Sequence, residues 1–169
     1  IAKELDLKQV MSFDMGGTTA KITLIENKSP NKAREFEVDR KSRFKKGSGL
    51  PIRIPVIEMV EIGAGGGSIA RVNKLEQITI GPDSAGADPG PACYGLGGQE
   101  PTITDADLII GKINPDNFAS GKIKLFRKKS ELAIRDKISK PLKLNLEMSA
   151  LGITEMVDET MANAARVHA

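Results

Sequence analysis

Tryptophan is absent and aromatic residues make up only 4% of the 169 residues, too few ring faces for a protein that holds single-stranded nucleic acid by base stacking. Cysteine and histidine occur once each, as Cys93 and His168. A lone cysteine rules out an intrachain disulfide, and one cysteine with one histidine cannot make up a Cys/His zinc site within these residues. No run of about 18 apolar residues exists, and the chain does not open on a signal-like pattern. Neither nucleic acid nor a membrane is therefore expected as a partner, and a cytoplasmic location is the simplest expectation. The Walker spacing Gly-x4-Gly-Lys-[Ser/Thr] is missing too.

What is present is the composition of an average soluble domain, 40% hydrophobic and 28% charged, with a formal net charge of +3. The positive excess lies mainly in Arg40, Lys41, Arg43, Lys45 and Lys46 and in Arg127, Lys128 and Lys129, both read as solvated loops. The length fits a single domain, residues 1–169, with a core that takes about 70% of the unfolded surface out of water. An initial Ile and a helical pattern still running at the last residue suggest an internal piece of a longer protein.

The chain is organised around residues 10–25, where two short β-type runs meet at the corner Gly16-Gly17-Thr18-Thr19. Adjacent glycines allow positive φ and close approach to a ligand, while the threonine hydroxyls and loop N–H groups converge on one place. This is the chemistry of a phosphate cradle. Asp14, at the end of the entering strand, is the candidate catalytic and metal-holding residue, able to hold a hydrated Mg²⁺ against phosphate oxygens. The same residues also describe an ordinary Gly-Gly hairpin with an Asp capping its turn.

Further on, residues 33–39 alternate and predict a half-buried strand that continues an antiparallel meander, and residues 54–62 predict a strand broken by Pro55. The glycine loop 63–68 fails as a dinucleotide fingerprint, because Ser68 stands where a third glycine is required and no helix follows. It reads either as a structural turn or, with several free N–H groups, as a second wall of a ligand site. A hairpin is expected from Ile69–Val72 to Gln77–Ile80 around Asn73-Lys74. The stretch 81–98 has three prolines, six glycines and no periodicity, the mark of a shaped, functional loop whose reactive side chains are Asp83, Asp88 and Cys93. Cys93, with no nearby His, reads as a small buried filler before a nucleophile. Three helices are expected: Asp105–Ile110 behind a capping box at Thr104, Ser130 to about Lys140, and a last one with Ile153, Met156, Val157, Thr160, Met161, Ala164 and His168 on one face.

Five segments, in order, carry a resemblance: FDMGGTTAK (13–21), FKKGSGLP (44–51), EIGAGGGSIA (61–70), GPDSAGADPGPACYG (81–95) and PTITDADL (101–108). Together they resemble the hydantoinase A/oxoprolinase family over about residues 8–168, and the first two look most like its hydantoin-utilisation A branch. The resemblance implies an α/β fold, an antiparallel-rich mixed sheet with C-terminal helices, forming part of one half of an actin-like (ribonuclease H-like) ATPase. It also implies ATP and Mg²⁺ as cofactors, a cyclic amide such as a hydantoin, N-methylhydantoin or oxoproline as substrate, and a hydantoinase B-type subunit as partner. Carried onto this chain, Gly16, Gly17, Thr18 and Thr19 would hold the phosphates and Lys21 would add positive charge. Gly65, Gly66, Gly67, Ser68, Asp88 and Cys93 would belong to substrate or partner loops. An ATP-dependent ketone carboxylase subunit and a non-catalytic assembly ATPase subunit are the alternatives. With the adenosine motif and the first phosphate loop of that superfamily missing, these residues alone are expected to be inactive.

Overall fold

A computed structural model describes residues 1–38 and 49–168. The basic cluster at Arg40–Lys46, the end of the strand expected at 33–39 and most of the FKKGSGLP segment lie outside the described residues. The chain divides into two compact units, one of Ile1–Asp14 and Lys21–Glu61 and the other of Met15–Ala20 and Ile62–His168.

The first unit carries a sheet in which β1 (Gln9–Met15) neighbours β2 (Ala20–Glu26), β2 neighbours β3 (Ser29–Pro30), and β8 (Val60–Ile62) also pairs with β2. Between β2 and β3, Asn27 and Lys28 both take positive φ, 48° and 67°, as a two-residue hairpin turn requires. The expected meander stops there. Pro30 has no N–H to offer the ladder, and after Asn31, whose amide still reaches Leu24 O at 3.1 Å, the chain changes partners. The described part of that stretch, residues 33–38, therefore does not continue the sheet. β4 (Lys32–Ala33) pairs with β7 (Val56–Ile57), and β5 (Phe36–Val38) pairs with β6 (Leu50–Ile52), both antiparallel. The single strand expected at 54–62 is likewise two, β7 and β8.

The second unit is a hairpin backed by helices. β9 (Ser68–Val72) and β10 (Ile78–Ser84) pair antiparallel, Ile78 opposite Val72 and Ile80 opposite Ala70, with an irregularity before Ser84 opposite Ser68. Their turn is the expected one: the Asn73 side chain accepts from the amides of Leu75 and Gln77. β10 takes in the first four residues of the stretch expected to be structureless, and a single 3₁₀ turn forms at Ala92–Tyr94.

Helix α1 (Ile103–Ile109) starts earlier than expected, because the capping box belongs to Thr102 and Asp105. Arg127 donates to the carbonyls of Leu108 and Ile109 at 2.9 and 3.0 Å, closing the other end of α1. Arg127 is thus no solvated loop residue but the first of α2 (Arg127–Ile134), which runs on through a π-helical turn (Arg135–Ser139) into α3 (Lys140–Leu142). Ser130 is not its cap; it is buried within α2. The long α4 (Leu146–His168) packs against α1 and β10. Its buried stripe is Ser149, Ala150, Ile153, Thr154, Val157 and Met161, while Met156 is 44% exposed and Thr160 is exposed, unlike the face expected.

Candidate functional site

The corner between β1 and β2 is built from two glycine segments lying one on the other. Gly16 N–H donates to Thr19 O at 2.9 Å and closes the turn. Gly66 N–H then donates to Gly16 O at 3.0 Å and Gly67 N–H to Gly17 O at 2.7 Å. The approach is so close that a Cβ on Gly65 would stand 2.6 Å from Gly16 O, 2.7 Å from Thr18 N and 2.8 Å from Gly17 C. Only glycine fits there.

Behind the second segment lie two further supports. Ala85 N–H donates to Gly67 O at 2.8 Å, and Thr104 donates to Gly66 O through both its N–H and its Oγ1, each at 2.8 Å. Thr104 sits in the first turn of α1, whose start is fixed by Asp105. That carboxylate is fully buried and accepts from Thr102 N and Oγ1, Ala92 N, Cys93 N and the Ser130 hydroxyl, at 2.7 to 3.1 Å. A buried carboxylate is tolerable because every approach to it is a donor. Nothing in the alternation of hydrophobic residues marks Asp105 as such a hub; the capping-box spacing from Thr102 was the available signal.

The free N–H groups expected in the 63–68 loop are largely used. Gly65 N–H donates to Ser68 Oγ, Gly66 and Gly67 donate to Gly16 and Gly17, and Ser68 N–H donates to Gly65 O. Ser68 is fully buried. The open donors are on the other segment. Among the described residues, the N–H groups of Gly17 and Thr18 and the hydroxyls of Thr18 and Thr19 have no hydrogen-bond partner, and Gly17 and Thr18 are exposed.

Gly17 is placed differently from Gly65. Its φ lies outside the left-handed region, and a Cβ there would meet nothing within 4 Å. Neither strain nor packing among the described residues asks for glycine at that position, and positive φ, expected of this pair, occurs at neither Gly16 nor Gly17. The space a side chain would fill there is open, and the Gly17 and Thr18 N–H groups next to it in sequence are unpaired among the described residues. Such a set suits phosphate oxygens.

The other candidate residues are placed differently. Asp14 is exposed and lies in β1, two residues ahead of Gly16 in sequence. Lys21, on the face of β2 opposite to Ala20 and Ile22, pairs with Glu61 Oε1 at 3.7 Å. Asp83 pairs with Arg71 at 2.9 Å and Asp88 is exposed. Cys93 is fully buried against Leu108 and Leu125, which withdraws its side chain from any substrate or partner. Burial pushes its thiol pKa up, and the adjacent Asp105 carboxylate adds to the rise. Among the described residues no group of three or more His, Cys, Asp or Glu side chains could hold a metal, and no helix is long and apolar enough to cross a membrane.

Comparison with known proteins adds a second line. The Hydantoinase/oxoprolinase family model matches residues 1–168. The chain is 38% identical over 167 residues to the acetophenone carboxylase gamma subunit of Aromatoleum aromaticum, covering 98% of this chain and 22% of that one. It is 38% identical over 166 residues to the caprolactamase subunit alpha of Pseudomonas jessenii, covering 98% and 23%. A crystal structure of the ATP-dependent caprolactamase from that organism superposes with a TM-score of 0.81 at 38% identity, over 100% of this chain and 23% of that one. Nucleotide-free acetone carboxylase superposes with a TM-score of 0.84 at 31% identity, over 99% and 22%. The chain thus spans about a quarter of the length of the curated relatives it matches.

Proposed function

This chain belongs to the hydantoinase/oxoprolinase family, and on that premise we propose that it carries the phosphate-binding corner of an ATP-dependent enzyme that opens a cyclic amide. The observation that supports the reading is the open space at Gly17 together with the unpaired N–H groups of Gly17 and Thr18 in the same four-residue corner. Solved relatives include an ATP-dependent caprolactamase and an enzyme of ATP-dependent acetone carboxylation.

A ring amide is a poor electrophile, and bound ATP would supply a phosphoryl group to its oxygen, activating the ring carbon toward water. The ring C–N bond would then break with nitrogen leaving as the amine, and phosphate would be released by a second water. The protein's share in such chemistry is positioning and charge neutralisation. The Gly17 and Thr18 N–H groups and the Thr18 and Thr19 hydroxyls would hold β- and γ-phosphate oxygens. Asp14 would order a hydrated Mg²⁺; as a single carboxylate it fits a metal that keeps most of its waters and takes further oxygens from phosphate. Lys21 would add positive charge after release from Glu61, an exposed pairing that costs little to break. Gly65, Gly66, Gly67 and Ser68 serve this corner as its floor. A hydantoinase B-type subunit is the proposed partner, since relatives of both kinds are named as subunits.

Equal identity, 38%, to a caprolactamase and to a ketone carboxylase subunit keeps an ATP-dependent ketone carboxylase as the second reading. Phosphate release by the full-length protein with its co-purifying subunits separates the two. Release driven by a hydantoin or lactam supports the amidase; release that requires a ketone together with bicarbonate selects the carboxylase. Gly17→Ala tests the corner itself. The substitution is expected to leave the melting temperature unchanged or slightly raised, and to lower kcat/KM for ATP about ten- to hundredfold through displaced phosphates. Unchanged ATP kinetics in Gly17→Ala would refute the phosphate reading.

A further inference from the structure

We infer that Thr104, far from the corner in sequence, is a positioning residue for the phosphate-binding donors of Gly17 and Thr18; the inference rests on reading residues 16–19 as the phosphate cradle. In a planar trans peptide, the carbonyl of one residue and the N–H of the next point in opposite directions. Gly66 N–H holds the Gly16 carbonyl at 3.0 Å and Gly67 N–H holds the Gly17 carbonyl at 2.7 Å. The N–H groups of Gly17 and Thr18 are thereby turned away from those two partners, and among the described residues neither has a hydrogen-bond acceptor of its own. Whatever fixes Gly66 and Gly67 therefore fixes the aim of the donors.

Gly66 is held from behind by Thr104. Its carbonyl accepts from both the N–H and the Oγ1 of Thr104, at 2.8 Å each, so both lone pairs are occupied and the Gly66–Gly67 peptide has little freedom to rotate. A Cβ on Gly66 would stand 2.8 Å from that same hydroxyl, so the contact is a close one. Thr104 is 5% exposed, and the adjacent Asp105 pins the helix start through its buried acceptor bonds. A line of support runs from the capping box of α1 through Thr104 and the Gly66–Gly67 peptide to the Gly17 carbonyl. The hydroxyl is separable from the fold. When Oγ1 is removed, the Thr104 N–H still holds Gly66 O and the helix cap is untouched.

The test measures ATP kinetics of the full-length protein carrying Thr104→Val, which removes the hydroxyl at nearly constant shape, and Thr104→Ser, which restores it. Thr104→Val is expected to raise KM for ATP about three- to tenfold, the size of one neutral hydrogen bond, with kcat changed less than about twofold. Thr104→Ser should return KM to the wild-type range, a rescue that a merely structural role for the side chain's bulk would not give. Thr104→Ala is measured beside them by the same criteria, so that misfolding of the valine variant does not remove the test. An unchanged KM in both hydroxyl-less variants, or a serine variant as impaired as valine, overturns the inference. Gly17→Ala run in parallel distinguishes the two levels. A defect there with none at Thr104 leaves the cradle standing and removes Thr104 from it, whereas wild-type kinetics in both remove the cradle and the inference together.

Discussion

Glycine does different work at different places in this chain. Gly65 is required by its neighbours' backbone, since any side chain would enter the peptide planes of Gly16 to Thr18. Gly17 is required by nothing among the described residues, which is why its conservative replacement is informative. Cys93 and Asp105 make a similar contrast with their sequence appearance, where both sit among residues that look reactive. The thiol is fully buried and its pKa is raised by burial and by Asp105. Native protein is therefore expected to resist iodoacetamide at pH 8, with labelling appearing only in denaturant; rapid labelling of the folded chain would show that the thiol is accessible. The sign of the linkage follows. A thiol with a raised folded-state pKa binds its proton more tightly when folded, so its contribution is fully present below the ordinary value of about 8.5 and is lost as pH climbs from there. Urea midpoints measured from pH 7 to 10 should fall more steeply in the wild type than in Cys93→Ala.

At the scale of elements, hydrophobic spacing locates the last helix and the spine of its core side, Ile153, Val157 and Met161, but not the flanks of that face. The reason is chemical. Ser149 and Thr154 are buried in α4 because their hydroxyls return to helix carbonyls, Ser149 to Asn145 O at 2.8 Å and Thr154 to Leu151 O at 2.9 Å. A pattern that counts only apolar residues passes over them and takes in the exposed Met156. Ile153→Ala in the 169-residue chain is expected to cost about 2–5 kcal/mol, and Met156→Ala less than about 0.5 kcal/mol, by urea unfolding. Similar losses at both positions would return Met156 to the core. The helix start at α1 was misplaced for a related reason. Both Thr102 and Thr104 satisfy the capping pattern, and only the tertiary structure assigns Thr102 to the cap and frees Thr104 to hold Gly66.

For the molecule as a whole, the buried core is unevenly spread. Most of it lies in the second unit, among Ile69, Ile103, Leu108, Ile134, Ile138, Ile153 and Val157. Among the described residues of the first unit, Ile22 is the one large apolar side chain buried to 0%, while Met11, Phe13, Leu50, Ile52, Ile54, Ile57 and Met59 are exposed. On the proposed function, this chain would contact a nucleotide through its phosphates, which offers few handles. The 169-residue chain alone is expected to release no phosphate and to bind Mg-ATP weakly; tight binding in calorimetry would overturn that. The sequence by itself determined the family, the α/β class, the hairpin at Asn73 and the Gly-Gly-Thr-Thr corner, because these depend on local turn chemistry and on residue order. The tertiary structure alone decided which glycine loop keeps its donors. Hydrogen bonding is a matter of partners, and the partners of Gly16 and Gly17 lie some fifty residues along the chain, at Gly66 and Gly67.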